Sequence, residues 1–385
     1  MKKILSLVLA LSLMVTATAC GGKSASTSQS QGNPGGQSAS SAGSTAGGLK
    51  MEDVKVCVFL SSVRGDSGII DMLADAADEL AEEEGLKNYT IVEAGDAASD
   101  TAKLKSTLMD VCDQGWDIVI SSSSTMLDIV GEVAPDYPDT KFCLFDTAFD
   151  FDTYPYDNVY SATFKANEGS YLAGIVAMSM SESGTIGFVG GQEVSSILDF
   201  CWGYVEGAKS VNPDGKIVIT FTNDWYDSAK AKEIAISEVN MGADVIFPAA
   251  GPSSEGVMEA ASEKGIRSIG VDEDREALYA KTNPDWVSSI LTSEIKDVNA
   301  AVKRAIHMTL DGTLKYGESE ALGLESGCVG IIETGNYAQE VPDEVKALVE
   351  EAKKGALEGT LKITSAYGKS TEEVQKMKDW ANGTD

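Results

Sequence analysis

Two α/β lobes, each built on a doubly wound parallel sheet and facing each other across a cleft, are the expected architecture of this 385-residue chain. Three observations point there. Short, almost wholly apolar, β-rich runs alternate with longer stretches of helical period, as strands buried on both faces of a parallel sheet require. The alternation runs through the chain twice, with a fresh start after the segment 159–164. The patterned part begins near Met51 and leaves about 330 residues, more than a single hydrophobic core usually serves.

The first series opens with VKVCVFL (Val54 to Leu60), a strand, followed by a helical pattern over Ile69 to Glu84. Tyr89 to Glu93 is a second strand, and Thr101 to Gln114 a helix stopped by Gly115. Asp117 to Ser121, Leu127 to Tyr137 and Lys141 to Phe145 continue as strand, helix, strand. The second series comes after the strand Val159 to Phe164. Its helices are expected over Asn167 to Met180, Val194 to Lys209, Ala229 to Asn240 and Glu255 to Lys264. Its strands are Thr185 to Val189, Lys216 to Phe221, Val245 to Ala250 and Ile266 to Val271. A helix from Ser293 to Leu310, strands near Leu322 and over Cys328 to Ile332, and an acidic helix from Asp343 to Glu358 complete the pattern. The expected first lobe is residues 51–164 plus about 293–333, the second lobe is 165–292, and 334–385 form a helical extension.

The beginning of the chain reads differently. Lys2 and Lys3 precede an apolar stretch from Ile4 to Val15, then the small residues Ala17, Thr18 and Ala19, then Cys20. A basic start, a short apolar core and small residues at the cut make residues 1–19 a signal peptide. A cysteine directly after the cut is the lipoprotein pattern, so Cys20 is the expected site of lipidation. Acyl chains at about 0.8 kcal/mol per buried methylene would hold the protein at a membrane. Residues 20–50 are dominated by Gly, Ser, Ala, Thr and Gln, a composition that buries too little apolar surface to order and reads as a leash. The expected location is the extracytoplasmic face of a cell membrane.

Composition narrows the chemistry. Sixty acidic against thirty basic residues give a net charge of −30, which opposes nucleic acid and anionic lipid as partners. Most acids, such as Asp75, Asp78, Glu79 and Glu82 to Glu84, fall on helix faces and read as solvated. The five remaining cysteines, Cys57, Cys112, Cys143, Cys201 and Cys328, show no C-x-x-C spacing and read as small buried hydrophobes. The single histidine, His307, lies in a helical pattern without a nucleophile motif to serve. Neither G-x-x-x-x-G-K-[ST] nor a G-x-G-x-x-G after a strand occurs. No catalysis, cofactor or metal is expected.

Ligands of open α/β sheets sit beyond the carboxyl ends of the strands. The informative residues are therefore Ser61 and Ser62, Ser122 within Ser121 to Ser124, Asp146, the stretch Asn223 to Tyr226 with Trp225, Gly251, and Asp272 to Asp274. A carboxylate only accepts hydrogen bonds and can take two hydroxyl donors from a sugar, while an aromatic face grips a flat base. An aspartate after a strand also serves as a helix cap, the expected role of Asp274.

The runs NEGSYLAGIVA (167–177), IGFVGG (186–191), F-x-x-G-Y-x-x-G-A (200–208) with VNP (211–213), GADVIFPAAG (242–251), IGVDED (269–274) and LTSEIK (291–296) occur in one order. As a set they resemble the basic membrane protein family of substrate-binding lipoproteins, whose best-understood members are purine nucleoside receptors of ABC importers. The resemblance implies a type I periplasmic-binding-protein fold that clamps its ligand between lobes. It implies that Asp146 reads the base, Asp272 binds ribose hydroxyls with Lys296 assisting, Phe200 stacks on the base, and Trp225 lines the cleft. The family's first loop reads like T-D-x-G-x-x-D-D-K-S-F-N; here it is SSVRGDSGIID (61–71). Asp66 matches the last aspartate, Ser61 or Ser62 replaces the earlier one, and Ile69 replaces the stacking phenylalanine.

The expected function is thus the solute receptor of an ABC importer, a monomer that captures a nucleoside, with purine nucleosides favoured, and presents it to permease and ATPase subunits. Two alternatives stay open: a sensor feeding a signalling partner, and a receptor for another small heterocycle or sugar-like solute. A surface nucleoside hydrolase would want a larger acidic cluster than Asp272 and Asp274 supply.

Overall fold

A computed structural model describes residues 48–65, 68–95 and 100–384. Cys20, the signal sequence, nearly all of the leash and Asp66 lie outside the described residues. The first sheet is assembled from β1 (Lys55–Leu60), β2 (Asn88–Glu93), β3 (Ile118–Ser122), β4 (Lys141–Phe145), β5 (Val159–Phe164) and, from far along the chain, β11 (Glu318–Leu322). Their order is β11-β5-β4-β3-β1-β2, parallel throughout. The second sheet contains β6 (Thr185–Gly190), β7 (Lys216–Phe221), β8 (Val245–Ala249), β9 (Arg267–Gly270), β10 (Ile290–Lys296) and β12 (Val329–Ile331). Its order is β12-β10-β9-β8-β6-β7, with only the β10–β12 pair antiparallel. Each sheet holds the same 2-1-3-4-5 winding, so each reverses direction beside its own first strand, the place where doubly wound sheets open a crevice.

The helices α1 (Ile69–Glu79), α2 (Thr101–Cys112), α3 (Thr125–Val133) and α9 (Val298–Leu310) cover the first sheet. The second is covered by α4 (Ala166–Met180), α5 (Ser195–Val211), α6 (Ser228–Asn240), α7 (Ser254–Lys264) and α8 (Arg275–Thr282). Beyond β12 come α10 (Gly335–Glu340), α11 (Asp343–Leu357) and α12 (Thr371–Asn382). Four helices start on an aspartate whose carboxylate accepts a first-turn N–H: Asp100, Asp227, Asp274 and Asp297. Strands β1, β3, β6 and β8 are buried almost end to end, which is why they read as continuous apolar runs.

The tightest seam joins α4 to α5. The backbone of Gly174 lies against Tyr204, that of Gly203 against Asn167, and that of Gly207 against Tyr171, with no space for a side chain at any of them. The glycines of the F-x-x-G-Y-x-x-G-A run therefore serve helix packing.

Two expectations change. The helix expected from Ser293 begins only at Val298, because Ile290 to Lys296 form β10 between β9 and β12, and Asp297 caps the helix that succeeds it. Within 293–333 the chain consequently divides: α9 and β11 belong to the first lobe, whereas the end of β10 and all of β12 belong to the second. The chain crosses between lobes after β5, β10 and β11, and the crossings bond to one another, Lys165 N–H to Leu322 O at 2.7 Å and Asp297 N–H to Cys328 O at 2.7 Å. Val345, Val349, Val374 and Met377 of the last helices join the second lobe's core.

The five cysteines described are buried and unpaired, and burial pushes the Cys57 and Cys112 thiols up to about 12. His307 is half-exposed, its Nε2 2.8 Å from Glu84. Among the described residues no helix is long and apolar enough to cross a membrane.

Candidate ligand-binding site

Every non-glycine residue with a left-handed backbone among those described stands just past a strand. They are Ser123 (φ 94°) after β3, Asp146 (φ 56°) after β4, Asn223 (φ 54°) after β7 and Asp272 (φ 68°) after β9, and Gly251 (φ 57°) does the same after β8. Such a backbone disfavours side chains, least for Asn and Asp, and such outliers gather where side-chain placement matters.

A cavity of about 290 Å³ opens between these strand ends. Gly68, Ile69 and Asp146 contribute its first-lobe wall; Ser196, Ile197 and Phe200 of α5, Trp225 and Tyr226, Gly251 and Pro252, Val271, Asp272 and Lys296 contribute the second. Lys296 stands at the centre. Its Nζ lies 3.2 Å from Asp146 Oδ2 and 3.7 Å from Asp272 Oδ1, and 5.8 Å from the centre of the Phe200 ring. Burial alone would push the Lys296 ammonium down, but Asp146 and then Asp272 carry it above its ordinary value, so it stays charged.

Asp272 Oδ1 is buried and accepts no hydrogen bond. On β10 sits Glu294, fully buried; burial, reinforced by the Asp272 charge, lifts its carboxyl well above the usual range, against the opposing pull of Lys296 and the Asp272 backbone N–H. The bare backbone of Gly169 leaves room for that carboxyl. Phe200 packs against Phe247 at 6.3 Å while turning its ring to the cavity, and the indole of Trp225 rests over Gly191 and Gly251. A flat apolar surface thus faces a carboxylate pair bridged by one cation, a combination suited to a planar ring carrying hydroxyl or N–H donors.

Of the residues singled out from sequence, Ile69, Asp146, Phe200, Trp225, Gly251, Asp272 and Lys296 line this one space. Ser61, Ser62 and Ser122 do not. Ser122 is buried at the end of β3, and the loop after Ser62 is fastened sideways onto α1 by Arg64, whose Nη2 lies 2.6 Å from Asp75 and Nη1 3.2 Å from Asp78. Asp274 caps α8, its Oδ1 accepting from Ala277 N–H at 3.0 Å. Reasoning from sequence missed Gly68, Ser196, Ile197, Ala249, Pro252 and Val271, whereas Tyr226 fell inside the flagged stretch Asn223 to Tyr226; Ser196 and Ile197 lie one turn before Phe200, a spacing that could have flagged them. A larger hollow of about 440 Å³ runs between α4, α5 and α11, but no strand end reaches it. Among the described residues no cluster of His, Cys, Asp and Glu is arranged to hold a metal ion.

The family model for the PnrA-like ABC transporter substrate-binding protein matches residues 53–368. The ABC transporter nucleoside-binding protein BmpA of Lactococcus lactis is 31% identical over 289 residues, covering 72% of this chain and 78% of that protein. A purine-binding protein of Brucella abortus is 27% identical over 310 residues, covering 80% and 83%. In three dimensions the chain is similar to an ABC transporter solute-binding protein from Aeropyrum pernix, with TM-score 0.69, 24% identity and coverage of 86% and 98%; this likeness speaks for the fold.

Proposed function

Because the chain belongs to the PnrA-like family of ABC transporter substrate-binding proteins, which bind and deliver solutes rather than transform them, we propose that it is the nucleoside receptor of an ABC importer. Purine nucleosides are the favoured ligands. The observation that carries this reading is the buried Oδ1 of Asp272, which accepts no hydrogen bond and has the Lys296 ammonium only at 3.7 Å, inside a cavity walled by Phe200 and Trp225. A buried carboxylate oxygen without a donor is costly unless something fills the need, and a ribose hydroxyl supplies one. Asp146, which reaches the cavity from the other lobe, would accept from the base. Closure strengthens binding because bonds to both lobes exist together only when the lobes are shut. The names of the Lactococcus and Brucella relatives support the ligand class.

Ile69 on the first-lobe wall and Phe200 on the second line the same cavity, so the base would be gripped by one aromatic face and one aliphatic face. A thermal-shift panel of purine and pyrimidine nucleosides, free bases and hexoses tests the ligand class. Inosine, guanosine or adenosine should raise the melting temperature; a shift with hexoses alone would favour a sugar receptor instead. In the same reading the protein is a monomer tethered outside the cell through lipid on Cys20. Cys20→Ala should release it from the membrane, and an unchanged membrane fraction would reject the tether.

A further inference from the structure

The segment 358–370, between α11 and α12, is bonded to the second lobe along its length. Asn167 Nδ2 donates to Ile363 O at 3.3 Å, Thr364 N–H to Glu206 Oε2 at 2.9 Å, and Ser365 Oγ and Ala366 N–H to Asp199 Oδ1 at 2.7 and 2.8 Å. Lys369 lies over the Trp202 ring and Ser370 begins α12 with a capping box, so both ends of the strap are held. Asp199 is the neighbour of Phe200 on α5: one residue holds the strap while the next faces the ligand cavity. Ala366 is buried, but Tyr367 turns outward, half-exposed, and among the described residues its hydroxyl makes no hydrogen bond. Together with Asp199, Tyr367 lines a second hollow of about 430 Å³ whose far wall, Thr163, Phe164 and Ala321, comes from the first lobe. The phenol therefore lines a hollow walled by both lobes, which shares no lining residue with the first cavity and is tied to it through the adjacent α5 residues Asp199 and Phe200.

We propose that Tyr367 is a further ligand-contacting residue, delivered to the cleft by this strap and supplying an aromatic, hydroxyl-bearing group that Ile69 cannot. The inference rests on the nucleoside reading above. Electrostatics agree with the placement: burial, then Asp146 and Asp199, push the phenol up to about 12 although half the residue remains exposed, while Lys296 opposes them. The groups acting on Tyr367 thus include the two, Asp146 and Lys296, that meet in the ligand cavity. Neutral at physiological pH, the hydroxyl can donate to a ring nitrogen or carbonyl and accept from a hydroxyl.

Titration of inosine into the wild type, Tyr367→Phe and Tyr367→Ala decides it. Loss of the hydroxyl should weaken binding about 2- to 10-fold, and loss of the ring about 10-fold or more; equal dissociation constants in all three overturn the proposal. If the wild type binds neither inosine nor any other nucleoside, the nucleoside reading fails, and the placement of Tyr367 is judged without ligand. The tyrosinate absorbance missing from Tyr367→Phe then reports its ionisation, which Asp146→Asn should shift to lower pH; an unmoved ionisation overturns the placement.

Discussion

Lys296 Nζ and Asp146 Oδ2 meet at 3.2 Å although they end strands of different sheets. The contact is a charged bridge across the cleft, and Asp272, at 3.7 Å from the same nitrogen, extends it to a triad. One cation thereby answers two carboxylates at the place where a polar ligand would enter.

Lys296→Met removes that cation and leaves Asp146 and Asp272 facing each other over the buried Glu294. Breaking a fully buried pair costs about 3–5 kcal/mol. Because Asp146 keeps 31% of its side-chain surface exposed, a loss of about 1–3 kcal/mol is expected here. Chemical denaturation should show that drop together with weaker nucleoside binding; unchanged stability and affinity would remove the lysine from the account.

Asp272→Asn keeps the shape and tolerates φ 68° but withdraws the charge. A charge-assisted hydrogen bond contributes about 1.5–3 kcal/mol, so the dissociation constant should rise about 10- to 100-fold while the melting temperature holds. Undiminished affinity would take Asp272 out of the site.

Glu238 tests the pH dependence far from the ligand. It is fully buried near the end of α6, fitted over the bare backbone of Gly187, and burial lifts its carboxyl well above the usual range against the opposing pull of the Thr220 hydroxyl. The folded chain keeps that proton to higher pH than the unfolded chain, whose glutamates titrate near about 4.3. Its contribution to stability is therefore complete below the unfolded value and lost as pH rises through the folded one. Glu238→Gln should raise the melting temperature at about pH 8 and gain little at about pH 4. Glu294, with the same sign, keeps some of the decline in place. A gain that does not depend on pH would contradict this.

Gly207→Ala sets a methyl against the Tyr171 carbonyl in the α4–α5 seam. Overpacking of this kind costs about 1–3 kcal/mol. Thermal melts should fall by several degrees, with ligand affinity of the folded protein preserved; an unaltered melt would mean the helices can part freely.

Most of this architecture was legible because parallel strands buried on both faces leave unbroken apolar runs. β4 and β5 lie at the residues read from sequence. β10 was not legible: its run ILTSEIK carries Ser, Glu and Lys, and no local pattern announces that Glu294 is buried with its carboxyl lifted well above the usual range by that burial. β11 is an exposed edge with Glu318 and Glu320, so only its apolar end, Leu322, signalled a strand. The site divided in the same way. Asp146 and Asp272 come directly after strong strands and could be located from strand ends alone, whereas Tyr367 arrives from a strap whose course is set by hydrogen bonds to Asp199 and Glu206. Ser122 ended inside the sheet because β3 extends one residue further than its apolar run.

Isothermal titration of inosine into the purified wild-type protein tests the central claim most directly. Saturable heat at one ligand per chain, with the affinity about 10- to 100-fold weaker in Asp272→Asn, is the predicted result. Absence of heat with inosine, adenosine and guanosine alike, from protein that melts cooperatively, would contradict it.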